Sequence, residues 1–200
     1  MVALQVAKLP TMNATTHAVF GVAALTGASL LVGEAPPLYA YPAAIVAAWI
    51  PDVDNPRSRL GNGLSRTKNS ILNAITRPVS WALRATSFTL SRTVGHRTLT
   101  HSLLGVVLFV ALVSPVAPLL PDLFVALVAG YVSHIVADAL NTKGVLLLWP
   151  SRRPFRLLPR GIRSGGVAEF VVALIAAAAA GCGIYVLHPA LAEAFALRAF

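Results

Sequence analysis

Histidine and aspartate side chains recur where the apolar stretches of this sequence begin or end. His17 opens the first such stretch, and Asp52 and Asp54 close the second within a Pro-Asp-Val-Asp-Asn-Pro segment. Imidazole nitrogens and carboxylate oxygens, without cysteine thiolates, suit zinc, manganese or iron. These residue types predict a bound divalent metal, with zinc as the leading candidate, and a chemistry in which the metal activates water.

The two aspartates admit two interpretations. They could end a helix through Asx turns before Pro56, or they could bind a cation. Carboxylates at a helix C-terminus face the negative end of its dipole, which disfavours them unless a cation reverses the local sign. We expect Asp54 to bind the metal and Asp52 to act in catalysis by orienting a ligand or a water.

His96 and His101 frame a second candidate segment. Five residues turn a helix by about 140°, so the two imidazoles cannot share one helix face. Thr98 is a candidate N-cap, which would put His96 in a loop and His101 in the first turn of a helix. Both are candidate metal ligands. Arg97 between them is a candidate phosphate clamp, or simply one more basic residue of a cytoplasmic loop.

His134 and Asp138 lie four residues apart, one turn along a single helix face. This spacing suits two ligands of one ion, or a carboxylate that orients a metal-bound imidazole; a buried couple without metal is the alternative. Asn141, near the expected end of that helix, joins Asp52 and Arg97 as a candidate catalytic residue. Glu169, at the start of the last apolar stretch, is a further candidate metal ligand.

The composition shows what kind of elements position these residues. Hydrophobic residues make up 56% of the 200-residue chain, charged residues 12%, and the mean hydropathy is +0.74. A soluble protein of this size cannot bury so much apolar surface, so the sequence predicts a single-domain, all-α membrane bundle (residues 1–200). Residues 1–12 are interpreted as a short tail. About five spans are expected, over residues 14–33, 37–51, 98–118, 122–140 and 167–188.

The basic residues predict the orientation of the bundle. Of the 16 Lys and Arg residues, all but Lys8 and Arg198 fall in two loops, 56–97 and 141–166. The predicted location is the inner (cytoplasmic) membrane of the cell. The positive-inside rule places both loops and the N-terminus on its cytoplasmic side. Part of 56–97 is predicted to be an interfacial amphipathic segment that lies on anionic inner-leaflet head groups. The alternative is a lid over a lipid-facing site. Membrane lipids are the expected partners, and the +9 net charge does not predict nucleic-acid binding because it forms no continuous face. The oligomeric state is left open.

Six sequence blocks resemble the YdjM-like family of inner-membrane, metal-dependent hydrolases. They cover roughly residues 12–170 and are, in order, Thr16-His17, Pro51–Asp54, His96–Ser102, Gly130–Asp138, Gly144–Pro150 and Gly165–Glu169. That family is in turn distantly similar to zinc-dependent phospholipase C and the P1-type nucleases. This similarity implies a helical fold and phosphoester cleavage, with metal at His17, Asp54, His101, His134 and Asp138. The second His-x-x-x-Glu pair of those enzymes has no clear counterpart here, so one or two ions are expected rather than three.

Three functions follow from these features. The leading prediction is a membrane-embedded hydrolase that cleaves a phosphoester of a lipid or other amphiphile at the cytoplasmic leaflet. A divalent-metal transporter is the second, although it would need polar groups through the whole membrane. A non-enzymatic scaffold that binds a protein through the basic loops is the third.

Overall fold

The structure, a computed structural model, describes residues 12–54, 98–190 and 193. Within these ranges the chain is helical and contains no β-strand, only isolated bridges between Asn141 and Ile162 and between Val145 and Phe155. The predicted all-α class is therefore confirmed. The predicted amphipathic segment within 56–97 lies outside the described residues. The helices are α1 (Ala14–Val32), α2 (Ala40–Ala47), α3 (Leu103–Val113), α4 (Pro121–Leu140) and α5 (Val167–Leu187).

Three of these helices, α1, α4 and α5, are long and apolar enough to cross a membrane. The other two are shorter than the sequence predicts. Helix α2 has eight residues, or about 12 Å of rise, because Pro37 starts a turn before it and the chain leaves the helix ahead of Pro51. Helix α3 has 11 residues and continues as one 3-10 turn, Ser114–Val116. A bundle of three long helices with two shorter apolar ones is what the described residues form.

Small residues let α2 pack between α1 and α4. Gly21 of α1 and Gly130 of α4 both lie against the α2 backbone at Ala44, where a Cβ atom at either glycine would meet the Ala44 carbonyl oxygen. Ala44, Ala47 and Ala48 are fully buried. Close backbone approach through glycine and alanine is how apolar helices gain contact area where lipid competes with side chains. This packing fixes α2 and the 3-10 helix Pro51–Asp54 that follows it.

We expect Gly130→Ala to lower the free energy of unfolding by about 1–3 kcal/mol, because the new methyl group overpacks the α2–α4 contact. Gly181→Ala is the matched control, since Gly181 also lies inside a helix but nothing is within 4 Å of its Cβ position. That control should leave stability unchanged or slightly raised, because alanine is the better helix former. Thermal unfolding in detergent compares the two variants. Equal stability of both would contradict the close packing.

Five segments meet at one end of the bundle. Trp49 donates from its indole nitrogen to the Ala14 carbonyl at 2.8 Å, which brings the end of α2 to the start of α1. Tyr131 of α4 donates from its hydroxyl to the Thr100 carbonyl at 2.7 Å. Glu169 at the start of α5 accepts from the Thr16 hydroxyl at 2.7 Å. Five segments are thus neighbours: the first turn of α1, the two 3-10 segments near residues 52 and 101, the last turns of α4 and the first turn of α5.

Candidate metal centre

Five of the predicted site residues lie together at this end of the bundle: His17, Asp52, His101, His134 and Asp138. The three imidazoles and Asp138 are at most 1% exposed, whereas the Asp52 side chain is 19% exposed. Charged or metal-binding groups are costly to bury in an apolar bundle unless they bind one another or a ligand. The Asp52 side is therefore the direction from which water can reach the cluster.

Four donor atoms form a compact cage. Nε2 of His101 lies 3.1 Å from Nε2 of His134 and 3.3 Å from Oδ2 of Asp138. Nε2 of His134 is 3.6 Å from the same Asp138 oxygen. Oδ1 of Asp52 lies 3.7 Å from the His101 nitrogen and 3.9 Å from the His134 nitrogen. Four donors that bind one tetrahedral ion at about 2.0–2.2 Å lie about 3.3–3.6 Å from one another. The distances among His101, His134 and Asp138 lie close to that range, and Asp52 lies slightly farther from both imidazoles.

A backbone carbonyl orients His134. Its Nδ1 lies 2.6 Å from the carbonyl oxygen of Ala48. A carbonyl oxygen can only accept a hydrogen bond, so Nδ1 carries the proton and Nε2 presents its lone pair to the cage. Ala48 is fully buried, because α2 packs between α1 and α4. The small-residue packing of α2 therefore decides which nitrogen of His134 is available to a metal.

The segment that carries His101 differs from the expected one. The sequence predicted Thr98 as the N-cap of a helix with His101 in its first turn. In the structure a 3-10 turn, Leu99–His101, comes first, and Ser102 caps α3 by accepting from the Gly105 amide at 3.1 Å. Ser102 ahead of an apolar run was itself a readable N-cap signal. The 3-10 turn points the His101 imidazole into the cage instead of along α3.

His17 adds a fifth donor beside the cage. Its ring stacks on the His134 ring with a centroid distance of 3.8 Å and an interplanar angle of 14°. Nε2 of His17 lies 3.7 Å from Oδ1 of Asp138, the carboxylate oxygen that faces away from the closest cage contacts. His17, His134 and Asp138 form one group that could hold a metal ion, and Asp52, His101 and His134 form another.

Glu169 accepts hydrogen bonds from the start of α1 and from the turn before α5. Oε1 accepts from the Asn13 amide at 2.8 Å and from the Thr16 hydroxyl at 2.7 Å, and Oε2 accepts from the Gly165 amide at 2.6 Å. The carboxylate is 2% exposed and belongs to neither metal group of the described residues. It satisfies amide groups at the start of α1 and ahead of α5, where a negative charge is favourable. Glu169 thus clamps the helix end that carries His17.

Asn141 is also engaged away from the cage. Its side-chain nitrogen donates to the Ser164 hydroxyl at 2.6 Å, and its side-chain oxygen accepts from the Thr142 hydroxyl at 3.0 Å. These bonds hold the loop after α4 against the end of that helix. The other candidates, namely His96, Arg97 and the side chain of Asp54, lie outside the described residues.

The cage fits a divalent cation. Among the described side chains of the Pro-Asp-Val-Asp segment, the Asp52 carboxylate reaches the cage, and the sequence predicted that Asp52 orients a ligand or a water. Its Oδ1 is buried and has no hydrogen-bond partner within the described ranges. Buried polar atoms in folded proteins nearly always have a partner, and here a cation between the four donors would supply it. Two imidazole nitrogens and two carboxylate oxygens are a donor set that zinc, manganese and iron accept.

The fold and the cage define an all-helical membrane protein with a buried His/Asp cluster. The chain belongs to the YdjM inner membrane protein family, whose model matches residues 12–198. It is 39% identical over 120 residues to "Inner membrane protein YdjM" of Escherichia coli (strain K12) and of Shigella flexneri, which covers 58% of this chain and 52% of each relative. The chain therefore spans about half the length of these curated relatives. It is also 32% identical over 161 residues to "Uncharacterized protein YvsG" of Bacillus subtilis (strain 168), covering 80% of this chain and 87% of that protein. No solved structure matches.

Proposed function

We propose that this protein is a metal-dependent hydrolase that cleaves a phosphoester of a lipid or other amphiphile at the cytoplasmic leaflet. One observation carries the proposal: inside an apolar bundle, Nε2 of His101 and Nε2 of His134 are 3.1 Å apart, and carboxylate oxygens of Asp52 and Asp138 lie 3.3–3.9 Å from these two nitrogens. Hydrolysis adds water to phosphorus, breaks the ester P–O bond and transfers a proton to the leaving alcohol. A divalent cation in the cage would supply the Lewis acidity for this chemistry.

The residues of the chain divide the remaining tasks. His101 and His134 each present Nε2 to the cage. The Ala48 carbonyl accepts a hydrogen bond from Nδ1 of His134 and so holds that ring in place. Asp138 is fully buried and stays out of reach of the solvent, whereas Asp52 lies on the accessible side. A phosphoester that enters beside Asp52 meets the cage without crossing the bundle. The buried donors keep their positions because packing, rather than solvent, surrounds them.

The loop between α4 and α5 supports an anionic amphiphile as substrate. Its amides at Leu157 and Ile162 donate to the Ala139 and Leu140 carbonyls at 2.8 and 2.7 Å, so the loop is fastened to the end of α4 that carries Asp138. It exposes apolar side chains, including Phe155 at 44% and Leu157 at 47%. Guanidinium groups pair with phosphate oxygens, and apolar side chains favour the acyl boundary. The exposed arginines of this loop are Arg152, Arg153, Arg156, Arg160 and Arg163.

The same end of the bundle is cytoplasmic under this proposal. The charge distribution supports it, since fourteen of the 16 basic residues fall in the loops 56–97 and 141–166. The short segments α2 and α3 then complete five passages of the chain between the two faces. In α3 the lipid-facing side is apolar, with Val107 57% and Leu112 75% exposed.

The decisive experiment measures hydrolysis by the purified protein in lipid nanodiscs. We expect a panel of lipid phosphate monoesters and glycerophospholipid diesters to include a substrate whose cleavage stops with chelator and returns with zinc or manganese. Asp52→Asn should lower kcat by about 100-fold or more, as loss of one electrostatic group in an active site does. Glu34→Gln, an acid-to-amide change in the exposed turn after α1, should leave turnover unchanged.

A parallel measurement tests metal transport. The protein is reconstituted into liposomes that contain a metal-sensitive dye, and zinc or manganese is added outside. We expect no protein-dependent influx. Metal influx that depends on Asp52, together with no cleavage of any phosphoester in the panel, would overturn the hydrolase and favour a transporter.

A further inference from the structure

A lateral groove runs between α4 and α5, with α1 as its floor. Its volume is about 560 Å³, which lies within the range of about 300–1,000 Å³ that small-molecule sites have. Small side chains keep the groove open, because Ala24 and Ala28 line the floor and Ala176 lines the α5 wall. Larger apolar side chains form the α4 wall, from Phe124 to Val136. The groove is thus built from the three helices that are long and apolar enough to cross a membrane.

The groove offers apolar contacts to an occupant. Val125 and Val136 of its α4 wall are exposed, so the groove opens to the outside of the bundle, where a membrane protein meets lipid. Ser133 is the one polar side chain among the lining residues that the structure describes, and its hydroxyl donates to the Gly130 carbonyl at 2.7 Å. A polar ligand would lose hydrogen bonds to water and find no replacement here. The occupant that fits is a hydrocarbon chain.

The length of the groove matches one acyl chain. Phe124 and Val136 lie twelve residues apart, or about 18 Å along α4. One leaflet of a bilayer contributes about 15 Å of hydrocarbon. Val136 lies four residues, or about 6 Å, from Leu140, where α4 ends. A chain that enters the groove at this end therefore spans one leaflet, with its head group beside the end of α4.

The groove is separate from the metal cage. Val132 and Val136 line the groove, whereas His134, two residues from each, presents Nε2 to the cage. Two residues turn a helix by about 200°, so the cage and the groove lie on opposite faces of α4. Asp52 reaches the cage from the α2 side, and Ala176 lines the groove from the α5 side. A lipid in the groove is therefore a bound ligand and not the substrate of the cage.

The loop 141–166 supplies positive charge at one end of the groove. It joins the end of α4 to the start of α5, the two walls of the groove, and it carries six basic and no acidic residues. Arg160 and Arg163, the last two basic residues before α5, are exposed. A guanidinium group pairs with phosphate oxygens in a planar, bidentate geometry. This end of the groove is therefore complementary to an anionic head group.

We propose that the groove binds one acyl chain of an anionic glycerophospholipid, whose phosphate pairs with the arginines of loop 141–166. Dispersion contacts along the walls hold the chain, since surrounding lipid is as apolar as the groove and burial alone gives no preference. The charge of the head group then selects which lipid stays bound. The site adds a lipid ligand to the protein and does not depend on the metal centre.

Native mass spectrometry of the purified full chain tests this site. Delipidated protein in detergent is equilibrated with equal amounts of phosphatidylglycerol and phosphatidylcholine that have identical acyl chains, and retained lipid is counted. We expect one retained phosphatidylglycerol per chain. Ala24→Phe puts a ring on the floor of the groove, and it should lower retention by about tenfold or more because the ring displaces the contacts of the chain. Ala178→Phe adds the same ring at an exposed position of α5 outside the groove and should retain the lipid.

The head group is tested by the double variant Arg160→Gln with Arg163→Gln. Its groove is unchanged, so it should retain the two lipids equally, without the preference for phosphatidylglycerol. Equal retention of both lipids by the unaltered protein would overturn the pairing with arginine. Full retention by Ala24→Phe would overturn the groove as the binding site.

Photolabelling of the unaltered protein covers the case in which Ala24→Phe fails to fold. Phosphatidylglycerol with a diazirine in its acyl chain is placed in lipid nanodiscs, and the labelled residues are mapped after irradiation. Label should concentrate on the groove, above the level at Val107 and Leu112 on the exposed face of α3. Equal labelling of both surfaces would overturn the site. Cross-links from the groove to a second copy or to another segment of this chain, without lipid label, would also overturn it. Both experiments are run without metal, so their failure would leave the proposed hydrolase standing.

Discussion

Asp138→Asn is expected to abolish metal binding, with an apparent affinity for zinc lower by more than about 100-fold. Loss of a group that merely orients a ligand costs 10–100-fold, and Asp138 is itself a ligand candidate whose two oxygens face different imidazoles. The amide cannot balance the charge of a cation, and its nitrogen would turn a donor toward one of the histidines. Isothermal titration of the apo protein with zinc, or metal analysis after dialysis, measures the loss.

Asp122→Asn is the matched control for that change. Asp122 lies in the first turn of the same helix, sixteen residues or about 24 Å from Asp138, and belongs to neither metal group of the described residues. It should bind zinc as the unaltered protein does. If Asp138→Asn kept full zinc affinity, the cage would be a hydrogen-bonded structural couple and the proposed hydrolase would lose its basis.

Metal removal is expected to lower the thermal stability of the protein by on the order of 5–10 °C. A ligand at 100 times its Kd stabilises the folded state by about 2.7 kcal/mol, and each kcal/mol shifts Tm by about 2–4 °C for a chain of this size. Removal of the cation also takes away the positive charge beside the buried carboxylate oxygens of Asp52 and Asp138. Burial of these oxygens then costs more free energy, which increases the loss of stability. Thermal unfolding with chelator, and again after zinc is restored, measures the shift.

Two histidine variants make this measurement specific. His101→Ala removes a cage donor, so its Tm should no longer respond to chelator or zinc. His188→Ala removes a histidine whose Nε2 lies 3.1 Å from the Tyr41 hydroxyl at the other end of the bundle, so its Tm should respond as before. An equal zinc response in both variants would show that the stabilising metal binds elsewhere.

Local spacing predicted part of the site well. The four-residue interval between His134 and Asp138 puts both on one helix face, and the structure places His134 Nε2 3.6 Å from Asp138 Oδ2. The apolar stretches predicted where the long helices lie, because length and hydropathy decide which segments can be buried in lipid. The order of the apolar stretches and the basic loops along the chain predicted that the His and Asp residues of separate segments lie at one end of the bundle.

Other features depend on contacts that no local pattern carries. The tautomer of His134 is set by the carbonyl of Ala48, a backbone atom whose position depends on glycines in two other helices. The sequence predicted Glu169 as a candidate ligand because it is acidic and opens the last apolar stretch. Two of its partners, the Asn13 amide and the Thr16 hydroxyl, are more than 150 residues away in sequence, and only the folded chain brings them together. Both features are tertiary, which is why periodicity and charge did not reveal them.

The clamp at Glu169 has a consequence for biosynthesis. The ribosome makes α1 first, so His17 enters the membrane long before its neighbours at the metal centre exist. The groups that hold the start of α1, the Asn13 amide and the Thr16 hydroxyl, find their carboxylate only when the first turn of α5 is made. The order of synthesis thus makes the last long helix the element that completes the surroundings of the first histidine. A nascent chain still lacking α5 therefore holds the start of α1 without its carboxylate anchor.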